Sequence, residues 1–180
     1  MRPLTTNETT TLFEKLAKYM GSNIKHLVDR PDEPYCFRLQ QSRVYYMSEK
    51  MARLAISAGR DHLGSIGTCF GKFSKTGKFT LHITALDYLA LYGTHKIWVK
   101  PNGEMPFLYG NNIVKAHLGR ITDNTPEHTG IVVYSMNDIP LGFGVTARAT
   151  ADMKNLQPTD MIVFHQADVG EYLRDEQNLF

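Results

Sequence analysis

The sequence predicts an α+β protein in two parts: an N-terminal antiparallel sheet with packed helices over residues 1–94, then a small mixed β-barrel over residues 95–170. Three observations predict it. Residues 1–94 alternate capped amphipathic helices with pairs of short strands, the pattern of hairpins joined by helices. Beyond Gly93-Thr94 the long helical periodicity stops, and short apolar strands separated by glycine-containing turns take over. Charge divides at the same place: residues 1–94 hold 13 Lys and Arg against 8 Asp and Glu, and residues 95–180 hold 7 against 10. Residues 171–180 read as an acidic tail.

The first helix is marked by a capping box from Thr5 to Glu8, an apolar stripe of Leu12, Phe13, Leu16, Ala17 and Met20, and Gly21 as its left-handed stop. Residues 22–34 show a short helical turn at 24–28 and little else. YCFRLQ (35–40) and RVYYMS (43–48) are aromatic and β-branched, and Gln41-Ser42 between them predicts a hairpin. Ser48 then caps a helix with Met51, Leu54, Ala55 and Ala58 on its apolar face and Gly59 at its end. A second hairpin follows, turning through residues 74–78 with Gly77 in a left-handed position and Lys72, Lys75 and Lys78 near its tip. Thr84 and Asp87 predict a shorter capping box for the helix ALDYLALY, which ends at Gly93.

In the second part, KIWVK (96–100) is a strand, Pro101-Asn102-Gly103 a turn, and residues 104–110 one or two helical turns closed by Gly110. NNIVKAHLGRIT carries mixed signals. GIVVYSM (130–136) and PLGFGVTARAT (140–150) flank a turn at Asn137-Asp138, and residues 159–166 form a further apolar strand. Gly142 and Gly144, on either side of Phe143, weaken a strand interior. They imply either a tightly bent strand or a site where another backbone approaches.

Composition excludes several function classes. Hydrophobic residues are 42% and charged residues 21% of the 180, as in an ordinary globular protein. No apolar run approaches the ~20 residues of a membrane span. MRPLTTNETT lacks the apolar core of a signal peptide, so a cytosolic or nuclear location is expected. The two cysteines, Cys36 and Cys69, have no zinc spacing and are expected as buried thiols. The histidines show no HExxH, and His82 and His165 sit within strand-like runs, where core packing is the simpler reading. Gly59, Gly64, Gly67 and Gly71 fit neither GxGxxG nor a P-loop, and no catalytic carboxylate pair or nucleophile stands out. No enzyme, cofactor or metal is therefore expected.

The strand, the short helix closed at Gly110, the strand pair and the PLGFG strand together resemble a PUA domain from about residue 95 to 169. FLYGNNIVKAHLGRI (107–121), VVYSMNDIPLGFGV (132–145) and FHQADVGEYLR (164–174) extend the resemblance, over essentially the whole chain, to the Nip-seven family of 60S ribosomal subunit biogenesis factors. That resemblance implies a non-catalytic, RNA-binding assembly factor needed for precursor rRNA processing, located in the nucleus and nucleolus. Its implied partners are single-stranded, U-rich precursor rRNA and preribosomal assembly factors, with no membrane, and a monomer is expected. Mapped from the family motif, RNA contacts fall on Gly110, Asn111, Asn112, Lys115, Arg120, Arg148, Tyr172 and Arg174.

Physical chemistry attaches a role to each type: Lys and Arg neutralise phosphates, Tyr172 stacks on a base, and the asparagines offer donors and acceptors to a base edge. The asparagines also suit a plain turn. Residues 95–167 hold six basic and six acidic groups, so affinity through this part alone is expected to be weak. Lys72, Lys75, Lys78, Arg53 and Arg60 of the first part are auxiliary candidates, although a lysine-rich hairpin tip is more often merely a solvated turn. The alternatives are a protein–protein adaptor that makes no RNA contact and a small enzyme acting on nucleotides or RNA.

Overall fold

A computed structural model describes residues 1–58 and 63–179. Gly59, expected as a helix stop, and Arg60 and His62 lie outside the described residues.

A two-residue strand, β1 (Arg2–Pro3), leads into α1 (Thr6–Met20). The expected capping box is formed: Thr5 Oγ1 accepts from Glu8 N at 3.4 Å, and Glu8 Oε2 accepts from Thr5 N at 2.8 Å. Arg2 grips the same carboxylate with both terminal guanidinium nitrogens, Nη2 at 2.7 Å and Nη1 at 2.9 Å, and together with the Thr5 N–H it holds the Glu8 pKa down at about 2. Gly21 ends the helix at φ +53°. After a 3-10 turn come α2 (Lys25–Val28), the hairpin β2 (Tyr35–Gln40) and β3 (Arg43–Ser48), and α3 (Glu49–Ser57). Next are the hairpin β4 (Thr68–Phe73) and β5 (Phe79–Leu81) and then α4 (Leu86–Tyr92). The sheet order is β1-β2-β3-β4-β5, antiparallel throughout.

Three local expectations need correction. Of the expected face of α3 only Ala55 is buried; Met51 and Leu54 are exposed, as is Ala58 just past the helix, and Ala52 turns inward because its short side chain lets the backbone lie close to the small core of Tyr45, Met47 and Cys69. Thr84 does not cap α4; its hydroxyl donates to the Cys69 carbonyl, a competing acceptor on the neighbouring strand. Cys69 is buried as expected, but Cys36 is only half-buried.

The second part runs β6 (Lys96–Val99), α5 (Pro101–Leu108), β7 (Ile113–Val114), β8 (Leu118–Ile121), β9 (Gly130–Ser135), β10 (Pro140–Thr146), β11 (Met161–Asp168), α6 (Glu171–Arg174) and α7 (Glu176–Leu179). Pro101-Asn102-Gly103, expected as a turn, is the first turn of α5: proline at N1 has its φ preset and needs no hydrogen-bond acceptor. The strand order is β7-β11-β10-β9-β6-β8, with β6 parallel to β9 and the other pairs antiparallel. The two edge strands, β7 and β8, are joined by one 3-10 turn over Lys115–His117, so the sheet must curl until its edges meet. The result is the expected mixed, nearly closed barrel.

β9 reads as an unbroken apolar run because it is buried on both faces. Ile131 and Val133 point into the barrel core with Ile97, Val99, Phe107 and Val163. Val132 and Tyr134 point the other way, into a core shared with Leu12, Leu16, Tyr19 and Leu89 of the first part. Phe143 of β10 joins that shared core, meeting the Tyr19 ring edge-on at 5.4 Å between centroids. Leu179 of the expected tail is buried there too.

Gly142 and Gly144 lie on the opposite face of β10 from Phe143. A Cβ on Gly142 would press on the Ala167 carbonyl and stand 2.9 Å from the Phe107 ring; one on Gly144 would stand 2.6 Å from Val163. The pairing register shifts on both sides of Phe143. The glycines therefore serve a bent, tightly packed strand, not the approach of a partner.

His82, just past β5, is 8% exposed. Burial, followed by Lys72 and Arg43, pushes its pKa down to about 4. A folded value below the unfolded ~6.5 means full stability above pH ~6.5 and progressive loss as pH falls toward 4. We expect urea midpoints to drop across that window by the equivalent of about 2 kcal/mol, after allowance for solvent screening. His82→Gln should flatten this part of the profile, and an unchanged slope in the variant would refute the assignment.

Candidate nucleic-acid interface

The candidate residues are arranged by how α5 ends. Pro106 lies within the helix, and Tyr109 N and Gly110 N turn back to the carbonyls of Met105 and Phe107 at 3.1 and 2.9 Å. Gly110 then takes φ +89°, a conformation that side chains oppose, and a Cβ there would meet nothing within 4 Å. The glycine is needed for chain direction, not for space, and the surface above it is open. Asn111 is exposed and makes no side-chain hydrogen bond among the described residues. Asn112 Oδ1 accepts from His165 N at 2.8 Å, tying the loop to β11.

A buried ionic network holds α6 beside this loop. Asp168 has no solvent exposure. Its carboxylate accepts from His165 Nε2 at 2.6 Å, Arg174 Nη2 at 2.8 Å and Gly170 N at 2.7 Å. Burial alone would raise the Asp168 pKa; the hydrogen bonds from His165 and Arg174 outweigh it and hold the group below the ordinary carboxylate range. Arg174 also donates to the Leu108 carbonyl, so one guanidinium clamps α6 to the end of α5. His165, Asp168 and Glu171 bring ligand-type atoms within 4.8 Å of one another. The His165–Asp168 hydrogen bond and the Arg174 charge already satisfy that group, which reads as an ion-pair network. Tyr109, Tyr172 and Leu173 project from the adjoining surface at 69%, 40% and 93% exposure.

Gly110, Asn111, Asn112 and Arg174 thus come together, while Tyr172, on α6 two residues before Arg174, lies near Asp87 of the first part. The other three candidates lie elsewhere. Lys115, in the turn between β7 and β8, is half-buried, has no ion pair among the described residues, and sends its backbone N–H to the Asp160 carbonyl at 2.8 Å. Arg148 sits two residues past β10, 3.9 Å from Glu127, on a hollow of about 440 Å³ that Asp160, His128 and Phe164 also line. Arg120 is on β8, stacked 3.8 Å above the Trp98 ring and 3.7 Å from Asp138. Each candidate arginine therefore already has an acidic neighbour.

Sequence reasoning missed Asp168, His165 and Tyr109. The available signal was a titratable or charged residue at every third position, from His165 through Asp168 and Glu171 to Arg174.

The family description "NIP7/UPF0113, pre-PUA domain" matches residues 1–83, and "UPF0113 PUA domain" matches residues 95–177. The chain is 67% identical over 180 residues to the 60S ribosome subunit biogenesis protein nip7 of Schizosaccharomyces pombe, covering all of both chains. It is 62% identical to the 60S ribosome subunit biogenesis protein NIP7 homolog of Danio rerio, covering 99% of each. Among solved structures, a PUA domain from Aeropyrum pernix K1 in a tartrate complex superposes with a TM-score of 0.63 at 11% identity, covering 99% of this chain and 90% of that one. A PUA domain protein from Thermoplasma acidophilum superposes with a TM-score of 0.56 at 15% identity, covering 96% and 95%. At these identities the structural likeness carries the fold alone. The resemblance read from residues 107–121, 132–145 and 164–174 is borne out along the whole chain.

Proposed function

Since the chain belongs to the NIP7/UPF0113 family, a pre-PUA domain followed by a PUA domain, we propose that it is an RNA-binding factor in 60S ribosomal subunit assembly. It holds single-stranded precursor rRNA during processing, breaks no bonds in it, and works in the nucleolus with other assembly factors. The names carried by relatives that match it from end to end support the assembly role. The observation that carries the RNA-binding part is the open, φ-positive loop at Gly110–Asn112, with exposed Tyr109 adjoining it and exposed Tyr172 on α6.

In this reading Asn111 meets a base edge or a 2′-hydroxyl, and Tyr172 stacks on an unpaired base. Lys115 neutralises a phosphate. Arg174 contributes mainly by holding the loop, and Arg120 and Arg148 contribute to the extent that a phosphate displaces Asp138 and Glu127. The acidic neighbours of the three arginines favour weak binding, and they keep alive the adaptor reading, in which the domain touches only protein.

Filter binding of the full-length chain to a U-rich single strand of about 6 nucleotides, the order of site one small barrel occupies, separates the two. Retention that weakens with salt is expected, and Lys115→Ala should reduce the log–log salt slope by about 0.7, the share of one phosphate on a single strand. Absence of retention at low salt would favour the adaptor.

A further inference from the structure

Lys15, Lys18, Lys75 and Lys78 lie outside the barrel, on α1 and the β4–β5 hairpin. Lys15 and Lys18 stand three residues apart on α1 and so share a face. Phe79, next to Lys78, packs in one core with Leu12, Leu16 and Tyr19 of α1, which brings the β4–β5 hairpin beside that face. Lys15 feels both neighbours: burial first, then Lys18 and Lys78, lower its affinity for a proton. Its ammonium lies 5.9 Å from the centre of the Tyr19 ring. Lys75, exposed at the hairpin tip, adds a further charge. Among the described residues none of these four lysines has an acidic partner, in contrast to Arg120, Arg148 and Arg174. Lys72 is not part of the group; it couples to His82.

The patch borders the second part. A Cβ on Gly130, where β9 begins, would lie 2.6 Å from the Tyr19 ring and 2.8 Å from the Lys18 carbonyl. Like charges gathered against a partly buried lysine repel one another in the free protein, and a polyanion laid across them relieves that repulsion. We propose that Lys15, Lys18, Lys75 and Lys78 form a second RNA-binding surface, which grips the phosphate backbone of a strand long enough to reach beyond the barrel. The inference rests on the chain being an RNA binder but not on the loop at Gly110.

The test compares the full-length chain with the variant Lys15→Gln/Lys18→Gln/Lys78→Gln on U-rich RNA of about 6 and about 30 nucleotides across a salt series. For the long RNA the variant should bind about tenfold more weakly at low salt, with a log–log slope reduced by about 2, three phosphates' worth. The short RNA should bind unchanged, and the Lys→Arg triple variant should restore long-RNA binding, which guards against a folding defect. Long-RNA binding equal to wild type overturns the proposal. A variant that binds long RNA normally but no longer binds polyglutamate overturns it as well, by assigning the patch to an acidic protein segment. Wild type that binds only the long RNA, through these lysines, supports the proposal while refuting the loop as the barrel's contact.

Discussion

Asp168→Ala is expected to lower the stability of the folded chain by about 3–5 kcal/mol, the range seen when one partner of a buried charge network is removed. Three groups aim hydrogen bonds at the missing carboxylate: the His165 ring, the Arg174 guanidinium and the Gly170 amide. Deleting it takes from Arg174 the carboxylate it is hydrogen-bonded to and leaves the His165 ring, only 14% exposed at its side chain, and the Gly170 amide without their acceptor. Urea unfolding should show the loss as a lower midpoint. Asp168→Asn, which keeps shape and one acceptor, should fall between wild type and alanine. The damage should not stay local: once Arg174 is released from Leu108 and Asp168, the loop at Gly110–Asn112 loses the helix at its side, so short-RNA affinity should fall in step with stability. Equal stability of the alanine variant and wild type would sink the account of this network.

Phe143→Ala is the second large effect. The ring is 1% exposed and meets Tyr19 edge-on in the core that joins the two parts. Removing such a ring costs about 3–5 kcal/mol through lost transfer energy and the cavity left behind. An edge-to-face pair adds about 0.5–1.5 kcal/mol beyond area. Because the shared core is what couples the halves, the variant should also broaden or split the thermal transition, which calorimetry reads directly. A single sharp transition at the wild-type temperature would show that the ring does not join them.

Local features were legible in the sequence, and features decided by distant neighbours were not. The start of α1 could be read because both halves of the capping box, Thr5 and Glu8, lie within one turn. The hairpin at Gln41-Ser42 could be read because turn and strands are contiguous. The buried face of α3 could be read only at Ala55: which other residues face inward depends on how close Tyr45 and Cys69 let the helix come, and Ala52 prevailed over the larger Met51 and Leu54. The cap expected at Thr84 failed because its acceptor, the Cys69 carbonyl, lies on another strand. In the candidate site the loop glycine was visible from the helix it closes. The arginines were named without their partners, since Asp138, Glu127 and Asp168 meet them only after the barrel forms.

A strand with two inside faces has a consequence for how the chain is made. α4 is complete at Tyr92, while the residues that cover the shared core, Val132, Tyr134 and Phe143, come some 40–50 positions later. At about 5–20 residues per second, a ribosome synthesising this protein leaves the apolar flank of the first half waiting on the order of several seconds before its cover emerges. During that interval the nascent chain carries a sticky surface that only later translation, or a chaperone, can shield. A fragment ending near residue 94 would keep that surface permanently and should clump when expressed alone.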